Sequence, residues 1–185
     1  MITFFEALPN ILKIDGKAYS IYTDFRVWMR FCIEYESFIN NGCKGVLDIS
    51  YLFKNELPVF QQPSDYKPIW EFAFPKNVVP RGGGQGERVL DYVIDSDYIY
   101  SAFMQEYGID LCEVELHWHK FRALLNGISS NTMLHSIMEY RSYTGEKIKD
   151  QAEIYRRLKS AWELPLKMTE EEIKNNEEFE QSFDV

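Results

Sequence analysis

The chain has 185 residues, and its 29 acidic and 20 basic side chains give it a net charge of −9. A protein this acidic has no electrostatic hold on a nucleic acid unless a local basic patch provides one, and its short, interrupted apolar runs predict no membrane span. We expect no signal peptide, because residues 1–6 lack a basic start and a cleavage site. Three cysteines without CxxC spacing favour a reduced cytoplasmic compartment.

The N-terminal region predicts a hairpin followed by an amphipathic helix. Asp15-Gly16 lies between two β-prone runs, which is typical of a two-residue hairpin turn with positive φ at both positions. Thr23 or Asp24 caps the helix, and Gly42 closes it. Its apolar residues recur at helical spacing and share one face, with Arg26, Arg30 and Glu34 opposite; they are Phe25, Trp28, Met29, Cys32, Tyr35 and Ile39.

The next stretch predicts two short helices and then a strong breaker. The first helix spans about Val46 to Asn55, and the second starts at Ser64 or Asp65 and ends before Pro75. Four glycines at 82–86 cannot pack a core, so we expect a mobile loop between two lobes. The expected organisation is residues 1–79 as hairpin plus helices, 80–88 as linker, 89–168 as a helical lobe and 169–185 as an acidic tail.

The sequence of the second lobe predicts helices throughout. One runs from a cap at Asp95 to Tyr107 and is closed by Gly108, with Asp97 in its first turn. Asp110-x-x-Glu113 resembles a capping box for the next helix, which ends at Gly127. That helix would carry Val114, Trp118, Phe121 and Leu125 on its apolar side and His119 on its polar side. Two more helices contain residues 134–141 and 148–162, and the expected fold class is therefore mainly α, a multi-helix globular protein with a small N-terminal β-hairpin.

Charge is uneven near the C-terminus. Residues 141–168 carry 7 basic and 4 acidic groups, whereas residues 169–185 carry 1 basic and 7 acidic groups. Thr169 starts a second capping box, which predicts a short acidic terminal helix or a frayed tail. A basic helix followed by an acidic tail could fold back on itself, or each could meet a partner.

Three patterns are candidate sites of chemistry. The glycine loop matches neither a Walker loop nor a dinucleotide fingerprint. His117 and His119 are two residues apart and point to different faces of a helix, so one ion cannot bridge them easily. Helix capping explains Asp95 and Asp97 without calcium. We therefore predict no catalytic residue, no metal and no cofactor; a small metal-dependent enzyme using these four side chains is the alternative from another class.

The aromatic content, 16% of the chain, indicates rings that are buried in a core or reserved for a partner. The helix from Tyr98 to Tyr107 has an apolar arc over more than half its circumference. It is either a buried central helix or a helix with one side on the core and the other on a partner, since Tyr and Met are enriched at interfaces. The candidate partner-binding residues are Tyr100, Met104, Tyr107, Trp118 and Phe121, of which the last two fit a core better.

Several strings of residues resemble motifs of the bacteriophage "gene product fifteen" family. They are Leu-Pro at 8–9, Thr-Asp-Phe-Arg at 23–26, Tyr-Gly-Ile-Asp-Leu at 107–111, Leu-His-Trp-His-Lys-Phe-Arg at 116–122 and Met-Glu-Tyr-Arg at 138–141. The resemblance covers most of the chain up to about Lys147. It implies a second tryptophan at the position of His119 in many relatives, which argues against a metal pair.

The resemblance implies a role in tail morphogenesis of long-tailed phages and prophages of Gram-positive bacteria. The expected activity is that of a tail assembly chaperone, not an enzyme, which binds the long hydrophobic tape-measure protein and helps to recruit tail tube protein. Self-association is a further expected contact. Such a protein would act in the cytoplasm of the bacterial host and be absent from the mature virion. A minor structural protein kept in the tail is the alternative.

Overall fold

The computed structural model describes residues 5–75, 88–145 and 149–165, with only the backbone of residues 149 and 150. These residues form six α-helices and one two-stranded antiparallel sheet, which confirms the mainly α fold class. The elements are β1 (Ile11–Ile14), β2 (Lys17–Ser20), α1 (Phe25–Asn40), α2 (Lys67–Ala73), α3 (Ser96–Tyr107), α4 (Trp118–Asn126), α5 (Met133–Arg141) and α6 (Lys149–Trp162), with 3₁₀ turns at Ser50–Leu52 and Pro63–Tyr66. No helix in the described ranges is long and apolar enough to cross a membrane.

Two predicted segments lie outside the described residues. They are the glycine-rich run at 82–86, within the predicted linker 80–88 of which only Arg88 is described, and the acidic tail at 169–185. The mobility of the first, the helix of the second and the domain boundaries that depend on them stay predictions.

The predicted hairpin is confirmed. Ile14 pairs with Lys17 across a two-residue turn, in which Asp15 has φ 47° and Gly16 has φ 74°. Positive φ at both positions matches the turn to the twist of the strands, and glycine adopts it at no steric cost. Leu12 and Ile14 are buried because alternate residues of β1 point to the same side of the sheet.

The predicted helix after the hairpin is also confirmed. The Asp24 carboxylate accepts a hydrogen bond from the Arg26 backbone N–H at 2.9 Å, which caps the first turn of α1. Gly42, at φ 68°, follows the last turn. The most buried side chains of α1 lie in its first half: Phe25, Trp28, Phe31 and Cys32.

The core is built from stacked aromatic rings. Phe121 lies between Phe25 and Phe103, with ring centroids 4.7 and 5.1 Å away, and Trp28 contacts Phe72 at 4.2 Å. This one apolar cluster therefore contains residues from both the first and the second half of the sequence. Large aromatic side chains dominate the energetics of such a core.

The predicted helix from Val46 to Asn55 is wrong, since this region contains only the 3₁₀ turn at Ser50–Leu52. Its backbone groups bond to the chain that follows β2. The Tyr22 N–H donates to the Leu52 carbonyl at 2.9 Å, and the Lys54 N–H donates to the Ser20 carbonyl at 3.0 Å. These long-range bonds use groups that a helix would need for its own i to i−4 ladder.

The predicted start of the next helix at Asp110 is wrong as well. Helix α4 begins at Trp118 and is capped by His117. The preceding segment pairs with the start of α1, because the Phe25 N–H donates to the Leu116 carbonyl and the Trp118 N–H donates to the Thr23 carbonyl, both at 2.8 Å. The Asp110 carboxylate instead accepts from the Cys112 N–H and closes a local turn.

Helices α3, α5 and α6 agree with their predictions, whereas α2 begins at Lys67 and not directly after Ser64 or Asp65, because a 3₁₀ turn at Pro63–Tyr66 precedes it. Helix α3 ends at Gly108, which has φ 63° and donates its N–H to the Met104 carbonyl at 3.1 Å. Thr132 caps α5 through its hydroxyl, which accepts from the His135 N–H. Helix α6 ends at Trp162, three residues before Pro165.

Candidate functional site

Helix α3 presents a small outer surface. Its inward residues Ile99, Ala102 and Phe103 are buried. On the other side Met104 is 41% exposed, whereas Tyr107 is half-buried, because its hydroxyl donates to the Leu124 carbonyl at 2.8 Å. Tyr100 is also half-buried. Of the three surface candidates on this helix, Met104 offers the largest exposed fraction.

Trp118 and Phe121 belong to the core. Both are fully buried. The indole N–H of Trp118 donates to the Ala73 carbonyl at 2.9 Å, and Phe121 stacks on Phe25 and Phe103. A partner could reach either ring only if α4 separated from the rest of the core.

The two histidines each bond to a backbone carbonyl on a different segment. His117 Nε2–H donates to the Pro9 carbonyl at 3.0 Å, and its Nδ1 accepts from the His119 N–H. His119 Nε2–H donates to the Phe72 carbonyl at 2.9 Å. The prediction that His119 lies on a polar face is wrong, because the end of α2 covers it and its ring packs 4.5 Å from Phe72. Burial lowers the pKa of His117 and lowers that of His119 to about 4, so both are neutral near pH 7.

The aspartates of the proposed metal alternative do not join the histidines. The Asp95 carboxylate is fully buried and accepts hydrogen bonds from both terminal nitrogens of Arg141, at 2.7 and 3.0 Å. The prediction that Asp95 occupies the N-cap position is confirmed, but its side chain makes no capping bond. Asp97 lies in the first turn of α3. Within the described ranges, no three His, Cys, Asp or Glu side chains are grouped so that they could hold a metal ion.

An open groove lies between the second half of α1, the end of α2 and the segment before α3. Its volume is about 430 Å³. The α1 side is formed by Tyr35 and Ile39, and the opposite side by Phe74, Leu90 and Val93. Phe74 is 43% exposed and Val93 is 61% exposed, so apolar side chains border the groove on both sides.

The aromatic wall of the groove is continuous with the core. The Trp70 ring packs edge-on to Tyr35 at 4.0 Å and stacks on Phe74 at 5.5 Å. Trp70 also contacts Phe31, which is buried. The rings are therefore held by the packed interior and present a fixed surface, which lowers the entropic cost of binding a partner there.

A polar network holds the opposite wall of the groove. Arg88 donates to Asp91 at 2.8 Å and lies 3.5 Å from Glu36 of α1. The second oxygen of Asp91 accepts the N–H groups of Val93 and Ile94. These bonds fix the backbone that carries Val93, and they connect it to α1.

The Asp95–Arg141 pair extends this network into the interior. Asp95 accepts the Asp91 N–H at 2.8 Å. Besides Asp95, Arg141 donates to the Val89 carbonyl at 3.1 Å and to the Trp162 carbonyl at 2.6 Å. One guanidinium thus joins the groove wall to the start of α3 and the end of α6.

Cys32 lines the groove without being reactive. It is buried in α1, and burial raises the pKa of its thiol to about 12. A thiol with such a pKa carries almost no thiolate at neutral pH, and the thiolate is the nucleophilic form. The groove therefore offers apolar contact and has no activated cysteine.

The sequence did not single out this groove, although one signal was present. The apolar stripe of α1 continues to Tyr35 and Ile39, whereas the buried residues of this helix end at Cys32. A stripe longer than the core indicates surface left for another contact. Phe74 and Val93 lie outside any helix, so periodicity could not identify them.

These features define a mainly α-helical protein with an open apolar groove. The family model described as Bacteriophage Gp15 protein matches residues 4–164, and the chain belongs to this family. No curated protein and no solved structure matches the chain.

Proposed function

We propose that this phage protein is a non-enzymatic tail assembly chaperone that binds the tape-measure protein in the groove between α1 and residues 88–93. Tail tube subunits are a second partner, recruited to the same assembly. The protein acts in the cytoplasm of the bacterial host and is absent from the finished particle.

The observation that supports the proposal is the open apolar groove of about 430 Å³. A helix binds such a groove by laying its apolar face into it, with anchors at i, i+3, i+4 and i+7. Val93, Phe74 and Ile39 border the groove and are partly exposed to water in the free chain. Covering them with a client helix would remove apolar area from water, worth about 25 cal/mol per Å².

The charge of the chain suits a chaperone of a hydrophobic client. A net charge of −9 keeps complexes of client and chaperone apart by like-charge repulsion. A groove of this size binds one helical segment weakly, but several copies of the protein can coat one long client. Repeated weak sites along a single chain gain effective concentration, so the whole assembly is more stable than each contact.

The proposal is tested by co-expressing the protein with the tape-measure protein of the same phage and measuring soluble client and its recovery in a pull-down. Val93→Glu places a carboxylate at the groove and should weaken binding by about 2 kcal/mol, or about thirtyfold in Kd. Val46→Glu is the matched control, because Val46 is 95% exposed and does not line the groove. Met104→Glu tests the outer surface of α3.

Val93→Glu should lose the client while its thermal unfolding stays that of the wild type, and Val46→Glu should behave as the wild type in both measurements. Loss of client with Met104→Glu alone would place the contact on α3 instead. A wild-type chain that leaves the tape-measure protein insoluble would contradict the chaperone activity. Stoichiometric recovery of the protein from purified particles would show a structural tail component instead.

A further inference from the structure

The residues that line the groove carry more negative than positive charge. The charged side chains among them are Glu36, Arg88 and Asp91. Arg88 and Asp91 pair at 2.8 Å, and the Asp91 side chain is buried, whereas the Glu36 side chain is 41% exposed. One guanidinium thus serves two carboxylates, so the lining keeps a net negative charge, and Glu36 is the carboxylate that a partner can reach.

Two aromatic rings lie on the other side of the groove floor from Glu36. Cys32 and Ile39 form the floor on α1, and Tyr35 and Glu36 flank it, because successive residues of a helix are about 100° apart around its axis. Phe74 lies on the Tyr35 side, with the two ring centroids 6.4 Å apart and their planes at 56°. Across its width, the groove therefore has rings on one side and an exposed carboxylate on the other.

Rings and a carboxylate together attract a cation, because the face of an aromatic ring is negative. Helix α1 already holds one cation in this way. The Arg30 guanidinium lies 4.1 Å from the centroid of the Tyr51 ring and donates to Glu34 at 2.7 Å. In the described part of the chain, no cation–π contact uses Tyr35 or Phe74. A cation in the groove would complete the same combination there.

The two guanidiniums nearest the groove are engaged elsewhere. Arg88 pairs with Asp91. Arg122 is not among the groove-lining residues; it donates to the Ala73 carbonyl at 2.8 Å and lies 5.7 Å from the ring centroid of Trp118, which is fully buried. The charge complement of the groove is therefore a basic side chain of a partner.

We propose that the groove binds a helix with one arginine or lysine on its apolar face, and that this cation lies between the rings of Tyr35 and Phe74 and the carboxylate of Glu36. The inference rests on the proposed function, since the helix would belong to the tape-measure protein. Its apolar anchors cover Ile39 and Val93, while the basic side chain lays its aliphatic stem along the groove. An entirely apolar face would desolvate Glu36 without a counter-charge, which costs free energy. The groove thereby selects among the segments of a long client.

Two synthetic amphipathic helices test the proposal by fluorescence anisotropy with the full-length protein. The first has an arginine on its apolar face and a citrulline, the neutral isostere of arginine, on its polar face; the second has the two exchanged. Composition and net charge are equal, so the general attraction to an acidic protein is the same for both. The first helix should bind about fivefold more tightly, the effect expected of one exposed cation–π contact and one exposed ion pair.

Variants of the protein locate the contact. Glu36→Gln removes the charge and Phe74→Leu removes the ring, and each should reduce the preference to about twofold. Both side chains are exposed, so thermal unfolding should stay that of the wild type. Glu71→Gln is the matched control, because Glu71 is an exposed carboxylate of α2 that pairs with Lys67 and does not line the groove. It should keep the full preference.

Three results would overturn the proposal. They are equal affinity for the two helices, no binding of either helix, and a preference that survives in both Glu36→Gln and Phe74→Leu. The first would show that the groove does not recognise charge, and the last that the arginine binds elsewhere on the protein.

Overlapping peptides of the tape-measure protein distinguish failure of this inference from failure of the proposed function. Peptides that compete with the first helix should carry an arginine or lysine among their apolar residues, and a neutral isostere there should weaken binding about fivefold. Competing peptides that lose no affinity would contradict the inference and leave the chaperone activity intact. A preference for the first helix, without binding of any tape-measure peptide, would support the cation site and contradict the proposed client.

Discussion

Replacing Arg141 with methionine removes the guanidinium that closes a fully buried ion pair. In the wild type, Arg141 donates to both carboxylate oxygens of Asp95, at 2.7 and 3.0 Å, and to the carbonyls of Val89 and Trp162. Asp95 has no exposed surface. In Arg141→Met its charge keeps only the N–H of Asp91 as a donor, at 2.8 Å.

The size of the effect follows from leaving one charge buried and unpaired. Breaking a buried pair in this way costs about 3–5 kcal/mol. For a chain of this length each kcal/mol lowers Tm by about 2–4 °C, so Arg141→Met should lower Tm by about 6–20 °C. That loss is a large part of the stability of a typical domain, about 5–15 kcal/mol.

The assay is urea unfolding of the wild type, Arg141→Met, Asp95→Leu and the double variant. The double variant leaves no buried charge, so it should be more stable than the sum of the single losses predicts, by about 1–3 kcal/mol. It should not recover fully, because the Val89 and Trp162 carbonyls lose their donor. Single variants that each cost less than about 1 kcal/mol and add without coupling would refute the reasoning.

Two further predictions concern local features of the fold. Burial lowers the pKa of His119 to about 4 from an ordinary 6.5, so the neutral imidazole is favoured in the folded protein. The stability that this neutral side chain contributes is complete above about pH 6.5 and is lost as the pH falls to about 4. His119→Gln keeps a donor for the Phe72 carbonyl and should reduce the pH dependence of urea unfolding between these two pH values. Gly108→Ala should lower the free energy of unfolding by about 1 kcal/mol, because φ is 63° there; a thermal melt that matches the wild type would contradict this.

The elements that sequence predicted correctly are those whose signals are local. Asp15-Gly16 defines the hairpin turn, Asp24 caps α1, and Gly108 closes α3, each through atoms within a few residues. Such short-range bonds form without knowledge of the fold. Residue types and spacing were therefore sufficient for these parts.

The two wrong helix predictions have one physical cause. The sequence predicts helices over about 46–55 and from Asp110, yet backbone groups at 52–54 and 116–118 pair with the chain between Ser20 and Phe25. These partners are distant in sequence, and their proximity depends on how α1 packs. Tertiary hydrogen bonding overrides local propensity in both places, and one sequence does not show it.

The candidate groove was missed because its two walls are made by different kinds of structure. The α1 wall continues an amphipathic stripe that periodicity detected, whereas Val93 and Leu90 lie in a segment without helical spacing. That segment owes its position to Arg88, Asp91 and the buried Asp95–Arg141 pair. A charged network is a costly way to support an apolar surface, since well-packed hydrophobic residues would be about as stable. Its bonds are directional, however, and they fix the position of the backbone that carries Val93 relative to α1.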